Sequence, residues 1–227
     1  MTPTQLVVFD VAGTTVFDGD IVIDAIDEAL GLTGVRVDRN AIRALMGVPK
    51  PVAIRSLLVR YQADASEAAV GRVHEAFLAR VLDRYRSASG VREMDGAAAV
   101  FAALHERGIK VALDTGFSRP ILDVLLHRLG WTVPGVIDCT VTSDEVAHGR
   151  PAGDLIWRAM QITHVADPLA VVKVGDTPAD IASGRAAGCG AVVGVACGTH
   201  SRAELEQCGP NAVVERLSNL IPLVEAR

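Results

Sequence analysis

The residues best suited to do chemistry in this chain stand immediately after apolar, β-branched runs. Asp10 closes the run Leu6-Val7-Val8-Phe9 and is followed by Val11-Ala12-Gly13-Thr14-Thr15. A carboxylate at the tip of a buried strand, next to a small residue, a glycine and two hydroxyls, is placed to act as a nucleophile or metal ligand beside a turn of free backbone N–H groups. Read alone, the same stretch equally suits an Asp that closes a tight turn. Thr115-Gly116 follow the run 109–113, Arg150 lies in the loop after a shorter run at 136–140, and Asp176 and Asp180 follow the run 170–174. Each has a bland reading too: Thr115 as a helix cap, Arg150 in a surface ion pair, Asp180 in the first turn of a helix. If the runs are parallel strands, however, all four stations open on one edge of a sheet. Three carboxylates gathered there repel one another unless a cation sits between them, and a hard, oxygen-liganded ion such as Mg²⁺ is the natural one. Arg150 and Thr115 would then hold the oxygens of a phosphoryl or phosphonyl group.

The elements that must position these residues are legible in outline. From Asp95 onward helical and strand patterns alternate: helices near 96–107, 119–129, after Pro151 and at 178–187, and strands at 109–113, 136–140, 170–174, 191–195 and 212–214 before a terminal helix. This predicts an α/β fold, a Rossmann-like parallel sheet with helices on both faces. Residues 19–88 break the alternation and read as helices only. Ile21, Ile23, Ala25, Ile26, Ala29 and Leu30 recur at helical intervals; a second helix starts after Asp38; Pro51 suits the first turn of a third; Ser66-Glu67 opens a fourth with Ala69, Val73, Phe77, Val81 and Tyr85 on one face. An all-helical block is therefore expected after the first strand, with a hinge near 87–95.

Composition narrows the function classes. A net charge of −5, with no cluster of Lys and Arg interleaved with aromatics, gives no footprint for nucleic acid. No apolar stretch approaches the ~20 residues that cross a bilayer, and a cytoplasmic location is expected. Cys139, Cys189, Cys197 and Cys208 show no Cys-x-x-Cys pair or zinc spacing, so free and mostly buried thiols are expected.

The ordered set Asp10, Thr115, Arg150 and Gly175-Asp176-Thr177 with Asp180 resembles the four motifs of the haloacid dehalogenase-like hydrolases, over nearly the whole chain. The resemblance implies an Asp10 nucleophile, Mg²⁺ held by Asp10, the Ala12 carbonyl, Asp176 and Asp180, and a mobile cap at 16–92 inserted into a core made of 1–15 and 93–227. Within that superfamily three choices are similar to the phosphonatase (phosphonoacetaldehyde hydrolase) branch: Ala12 where most phosphatases carry a second Asp, Arg150 where Lys is usual, and Met46-Gly47-Val48-Pro49-Lys50, which looks like the segment bearing the Schiff-base lysine.

These choices belong together chemically. A phosphate ester expels an alkoxide and gains about 10²–10⁴ in rate from a positioned acid. A C–P bond expels a carbanion and needs an electron sink, which an iminium ion on Lys50 would provide. The resemblance thus implies catalytic roles for Asp10, Lys50, Thr115 and Arg150, and contacts to the substrate from Ala12, Gly13, Thr14, Gly116, Asp20 and Met46. It also suggests a homodimer joined through the caps. The chain departs from the branch in having Asp20 where it carries Cys, Ala53 where it carries His, and Phe117 where it carries Tyr. Asp20 suits proton transfer or the N-cap of the first cap helix equally. The function expected is Mg²⁺-dependent cleavage of a carbonyl phosphonate. The alternatives are a phosphomonoesterase on a small phosphorylated metabolite and a noncatalytic sensor of such a ligand.

Overall fold

A computed structural model describes residues 2–226. The first strand, β1 (Leu6–Asp10), has no polar residue before its last because both its faces are covered. Val7 and Phe9 pack on one side with Phe101 and Leu104, whereas Leu6 and Val8 pack on the other with Leu155 and Ile156. Those partners lie on α5 (Ala97–His105) and α7 (Asp154–Thr163), one on each face. Around β1 run β4 (Lys110–Thr115), β5 (Cys139–Thr142), β6 (Val171–Gly175), β7 (Ala191–Val195) and β8 (Ala212–Val214), in the order β5-β4-β1-β6-β7-β8. All of these pairings are parallel. Parallel order places Asp10, Thr115 and Gly175 at the carboxyl ends of three adjacent strands, the edge where such sheets bind ligands.

The alternation read from the sequence is thereby recovered with small shifts. The strand expected at 136–140 begins three residues later: Asp138 is taken up in a turn, its Oδ2 accepting from Val111 N at 2.7 Å, and the pairing Ala112↔Cys139 starts only after it. The remaining elements are α6 (Arg119–Leu129), α8 (Pro178–Ala186), α9 (Arg202–Gln207) and α10 (Ile221–Glu225). Cys139 is buried, but Cys189, Cys197 and Cys208 are only half-buried, which corrects the expectation of mostly buried thiols; none of the four forms a disulfide.

Between β1 and α5 the chain makes the helical excursion. It leaves through β2 (Val16–Phe17), forms α1 (Ile21–Gly31), α2 (Arg39–Arg43), α3 (Lys50–Arg60) and α4 (Glu67–Ser87), and returns through β3 (Arg92–Glu93). The crossing strands form an antiparallel ribbon, Val16↔Glu93 and Phe17↔Arg92, that two residues on each side gave no periodicity to announce. Local chemistry sets the helix starts: Asp38 accepts from Asn40 N, Ser66 accepts from Ala69 N, and Pro51 sits in the first turn of α3. Asp20 precedes α1 without a side-chain cap. The block is tied to the sheet region at its far end. Arg128 of α6 donates to the carbonyls of Tyr85, Arg86 and Ala88, filling orphan acceptors at the end of α4.

Candidate active site

Where the sheet edge meets the helical block lies a cavity of about 250 Å³, lined among others by Asp10, Ala12, Met46, Lys50, Thr115 and Arg150. The block is seated on the sheet through the 46–50 loop, and three glycines set how closely. A Cβ on Gly47, which has φ +84°, would lie 2.3 Å from Thr177 Oγ1; one on Gly116 would lie 2.9 Å from Val48 O; one on Gly149 would lie 2.3 Å from Pro49 Cγ. The 46–50 loop and the sheet edge therefore pack without room for a Cβ at these three positions, and the first residue of α3, Lys50, is carried inside.

At the sheet edge the charges form a network with two halves. Arg150, fully buried, donates to Asp10 Oδ1 at 2.6 Å and to the Asp114 carbonyl at 2.8 Å, pairs with the Asp114 carboxylate, and lies 3.0 Å from Asp180 Oδ1. Lys173, also fully buried, pairs with Asp114 and lies 3.1 Å from Asp180 Oδ1. Asp180 also closes a capping box with Thr177 at the start of α8, and the two cations hold its carboxyl below the usual range against the pull of burial. That half is balanced.

The other half is not. Asp176 accepts from Thr14 Oγ1 at 3.0 Å and from Thr199 N at 2.6 Å, with no cation in contact among the described residues. Burial, then Asp180, raises its carboxyl to about 6. Burial also raises Asp10 to about 7, against the pull of Arg150 and with the help of Asp180 and Asp176. Two carboxylates pushed up by burial and by neighbouring carboxylates want positive charge, and Gly13 and Gly198 pack against Asp176 so closely that a Cβ on either would lie 2.3 Å from its Oδ2. The Asp10–Asp176 side thus fits a hard divalent cation. Oxygens of Asp10, Asp114 and Asp180 also lie within 4.8 Å of one another, but Arg150 and Lys173 already supply the charge there.

Facing Asp10 across the cavity is Lys50, 5 % exposed. Its Nζ is 3.5 Å from Val48 O and 5.5 Å from the centre of the Phe117 ring. Burial, with a smaller contribution from Arg150, lowers its pKa to about 8, against Asp10 and Asp18. Its place at a helix N-terminus disfavours the cation further.

Most of the residues expected to do chemistry are thus brought together. Asp10, Ala12, Gly13, Met46, Lys50, Thr115, Gly116 and Arg150 line one cavity. Two expectations are corrected. Thr14 is fully buried behind the cavity wall and holds Asp176 instead of facing a ligand. In the turn after Asp10 the amides of residues 13–16 are not free, because Thr14 N, Thr15 N and Val16 N all reach Val11 O and Gly13 N reaches Val16 O. Asp20 touches the cavity rim, but its carboxylate is half-exposed and paired with Arg39 at 3.1 Å and Arg43 at 3.5 Å. The sequence reading missed Asp114, Lys173, Asp18 and Tyr85. Lys173 carried a signal, a lone charge inside an otherwise apolar buried strand, which calls for an equally buried partner.

The comparisons with known proteins agree with this geometry. A family model described as haloacid dehalogenase-like hydrolase matches residues 4–188. Among curated relatives, phosphonoacetaldehyde hydrolase of Bacillus cereus is 31% identical, the match covering 98% of this chain and 87% of that protein. The enzyme of that name from Bacteroides fragilis is 30% identical over 100% of this chain and 89% of its own. A hydrolase from Pseudomonas syringae superposes with a TM-score of 0.87 at 21% identity, covering 98% of each chain. A phosphonoacetaldehyde hydrolase-like protein from Oleispira antarctica superposes with a TM-score of 0.83 at 23% identity, covering 99% of this chain and 92% of that one. Sheet order, motif positions and family match converge, and the chain belongs to the haloacid dehalogenase-like hydrolases.

Proposed function

We propose that this hydrolase cleaves the C–P bond of a small carbonyl phosphonate such as phosphonoacetaldehyde, with the helical block at 16–92 acting as its cap. The observation that carries the reading is a buried Lys50 of lowered pKa facing Asp10 in one cavity, with Ala12 where a general acid for ester cleavage would stand. The neutral amine of Lys50 attacks the carbonyl carbon, and loss of water leaves an iminium ion. Asp10 then attacks phosphorus; the C–P electron pair moves into the iminium as an enamine, and the phosphoryl group passes to the Asp10 carboxylate. Protonation and hydrolysis of the enamine release the aldehyde and Lys50, and water cleaves the aspartyl-phosphate.

Arg150 and Thr115 hold the charge developing on the transferred oxygens, in a site that the seated 46–50 loop keeps from bulk water. Gly13 and Gly116 allow backbone to approach the substrate, and Met46 closes the cavity beside Lys50. Asp10, the Ala12 carbonyl and Asp176 are the groups that would hold Mg²⁺, with Asp180, already paired with Arg150 and Lys173, reaching it through a water; when bound the ion would supply charge neutralisation at the transferred group. Borohydride added together with phosphonoacetaldehyde is expected to fix a reduced adduct on the peptide carrying Lys50, read by mass spectrometry. No adduct, with hydrolysis continuing in Lys50→Arg, contradicts the imine.

A further inference from the structure

An imine route needs a group that moves protons at the carbonyl oxygen, and none of the residues assigned above does so. Asp18, between β2 and α1, lines the same cavity as Lys50 and Asp10. Its Oδ2 accepts from the Tyr85 hydroxyl at 2.5 Å. Tyr85 is fully buried on α4, and its ring stands edge-on to Phe117 at 6.1 Å, the ring that also faces Lys50. Asp18, Phe117 and Lys50 thus line the cavity with Tyr85 packed behind Asp18 and Phe117, and Asp18 and Lys50 feel each other's charge. Burial lifts the Asp18 carboxyl to about 6, against the Tyr85 hydrogen bond. A structural staple does not call for a carboxyl here: an amide would accept the same hydrogen bond without the penalty of burying a charge.

We propose that Asp18 is the acid–base group for the imine steps at Lys50, with Tyr85 positioning it. The assignment rests on the reading of Lys50 as the amine that condenses with the substrate. Attack by the Lys50 nitrogen forms the C–N bond and, after a proton passes from nitrogen to oxygen, leaves a neutral carbinolamine. Protonated Asp18 then gives its proton to the hydroxyl, the C–O bond breaks, water departs, and the nitrogen lone pair completes the iminium, leaving an Asp18 carboxylate. In the reverse sense, after C–P cleavage, that carboxylate takes a proton from the water that attacks the product iminium. Asp20, the acid the sequence singled out, is held at the rim by Arg39 and Arg43.

The test is the rate of borohydride-trapped adduct on Lys50, followed in the full chain with Mg²⁺ and phosphonoacetaldehyde. Asp18→Asn keeps the size and the hydrogen-bond acceptor and is expected to slow adduct formation about 100-fold or more. Asp18→Ser is expected to do the same, and Tyr85→Phe, which leaves the carboxyl in the cavity, to slow it less than about tenfold. A staple would show the opposite order, with Tyr85→Phe impaired and Asp18→Asn close to wild type, and that order overturns the assignment. Adduct in the wild type at an unchanged rate in Asp18→Asn overturns Asp18 alone. No adduct in the wild type overturns Asp18 and the imine together.

Discussion

Lys50 should weaken the fold that carries it, by an amount the structure allows to be worked out. An ordinary lysine titrates at 10.5, whereas burial and Arg150 bring Lys50 to about 8. That difference corresponds to about 3 kcal/mol of destabilisation wherever both folded and unfolded chains carry the proton. Lys50→Met keeps the length and removes the charge, giving up a single long contact to Val48 O, which is worth under about 1 kcal/mol. The net expectation is a variant about 2–3 kcal/mol more stable than the wild type at pH 7, measured by urea denaturation without added metal. The sign with pH follows from the lowered value. The penalty is full below pH 8 and fades as pH rises towards 10.5, so the two proteins should converge there. A wild type as stable as the variant at pH 7, or a gap that does not close with pH, would refute the burial argument.

Lys173→Met should move stability the other way, although both lysines are buried, because Lys173 balances Asp114 and Asp180; a loss of about 3–5 kcal/mol is expected in the same urea titration. Gly47→Ala places a Cβ against Thr177 Oγ1, which cannot turn away without leaving Asp180, and at φ +84°. It should lift the 46–50 loop and lower kcat/KM at least about tenfold, and steady-state kinetics equal to the wild type would mean that the loop does not seat this way in turnover. Ala12→Asp should raise turnover of phosphomonoesters, by up to about 10²-fold, without raising turnover of phosphonoacetaldehyde, as read by phosphate release.

The sheet and the candidate site were legible to different depths. Strands such as 6–10 and 171–175 declared themselves because a sheet covered on both faces admits almost only apolar residues, and the chemistry falls where those runs end. Helix starts at Asp38, Ser66 and Pro51 were legible because capping is a local matter. The pairing of Asp18 with Tyr85 spans 67 residues and depends on how α4 is seated, which no local pattern encodes. Asp114 was overshadowed by its neighbour Thr115, since a strand's period decides which of the two faces Lys173, and that face is known only once the register with β1 is fixed. Thr14 was placed on the wrong side of the wall for a similar reason: the turn after Asp10 spends its amides on Val11 and directs that hydroxyl to Asp176.

A carbonyl phosphonate, and not a phosphate ester, is the substrate proposed for Asp10 and Lys50 acting together. Phosphate release by the Mg²⁺-supplemented protein, measured in parallel on phosphonoacetaldehyde and on a panel of sugar, nucleotide and short-chain phosphomonoesters, tests it most directly. The phosphonate is expected to be turned over with the highest kcat/KM of the panel, with Lys50→Met abolishing this and Asp10→Asn abolishing all activity. Preferred turnover of a phosphomonoester, undiminished in Lys50→Met, would contradict it.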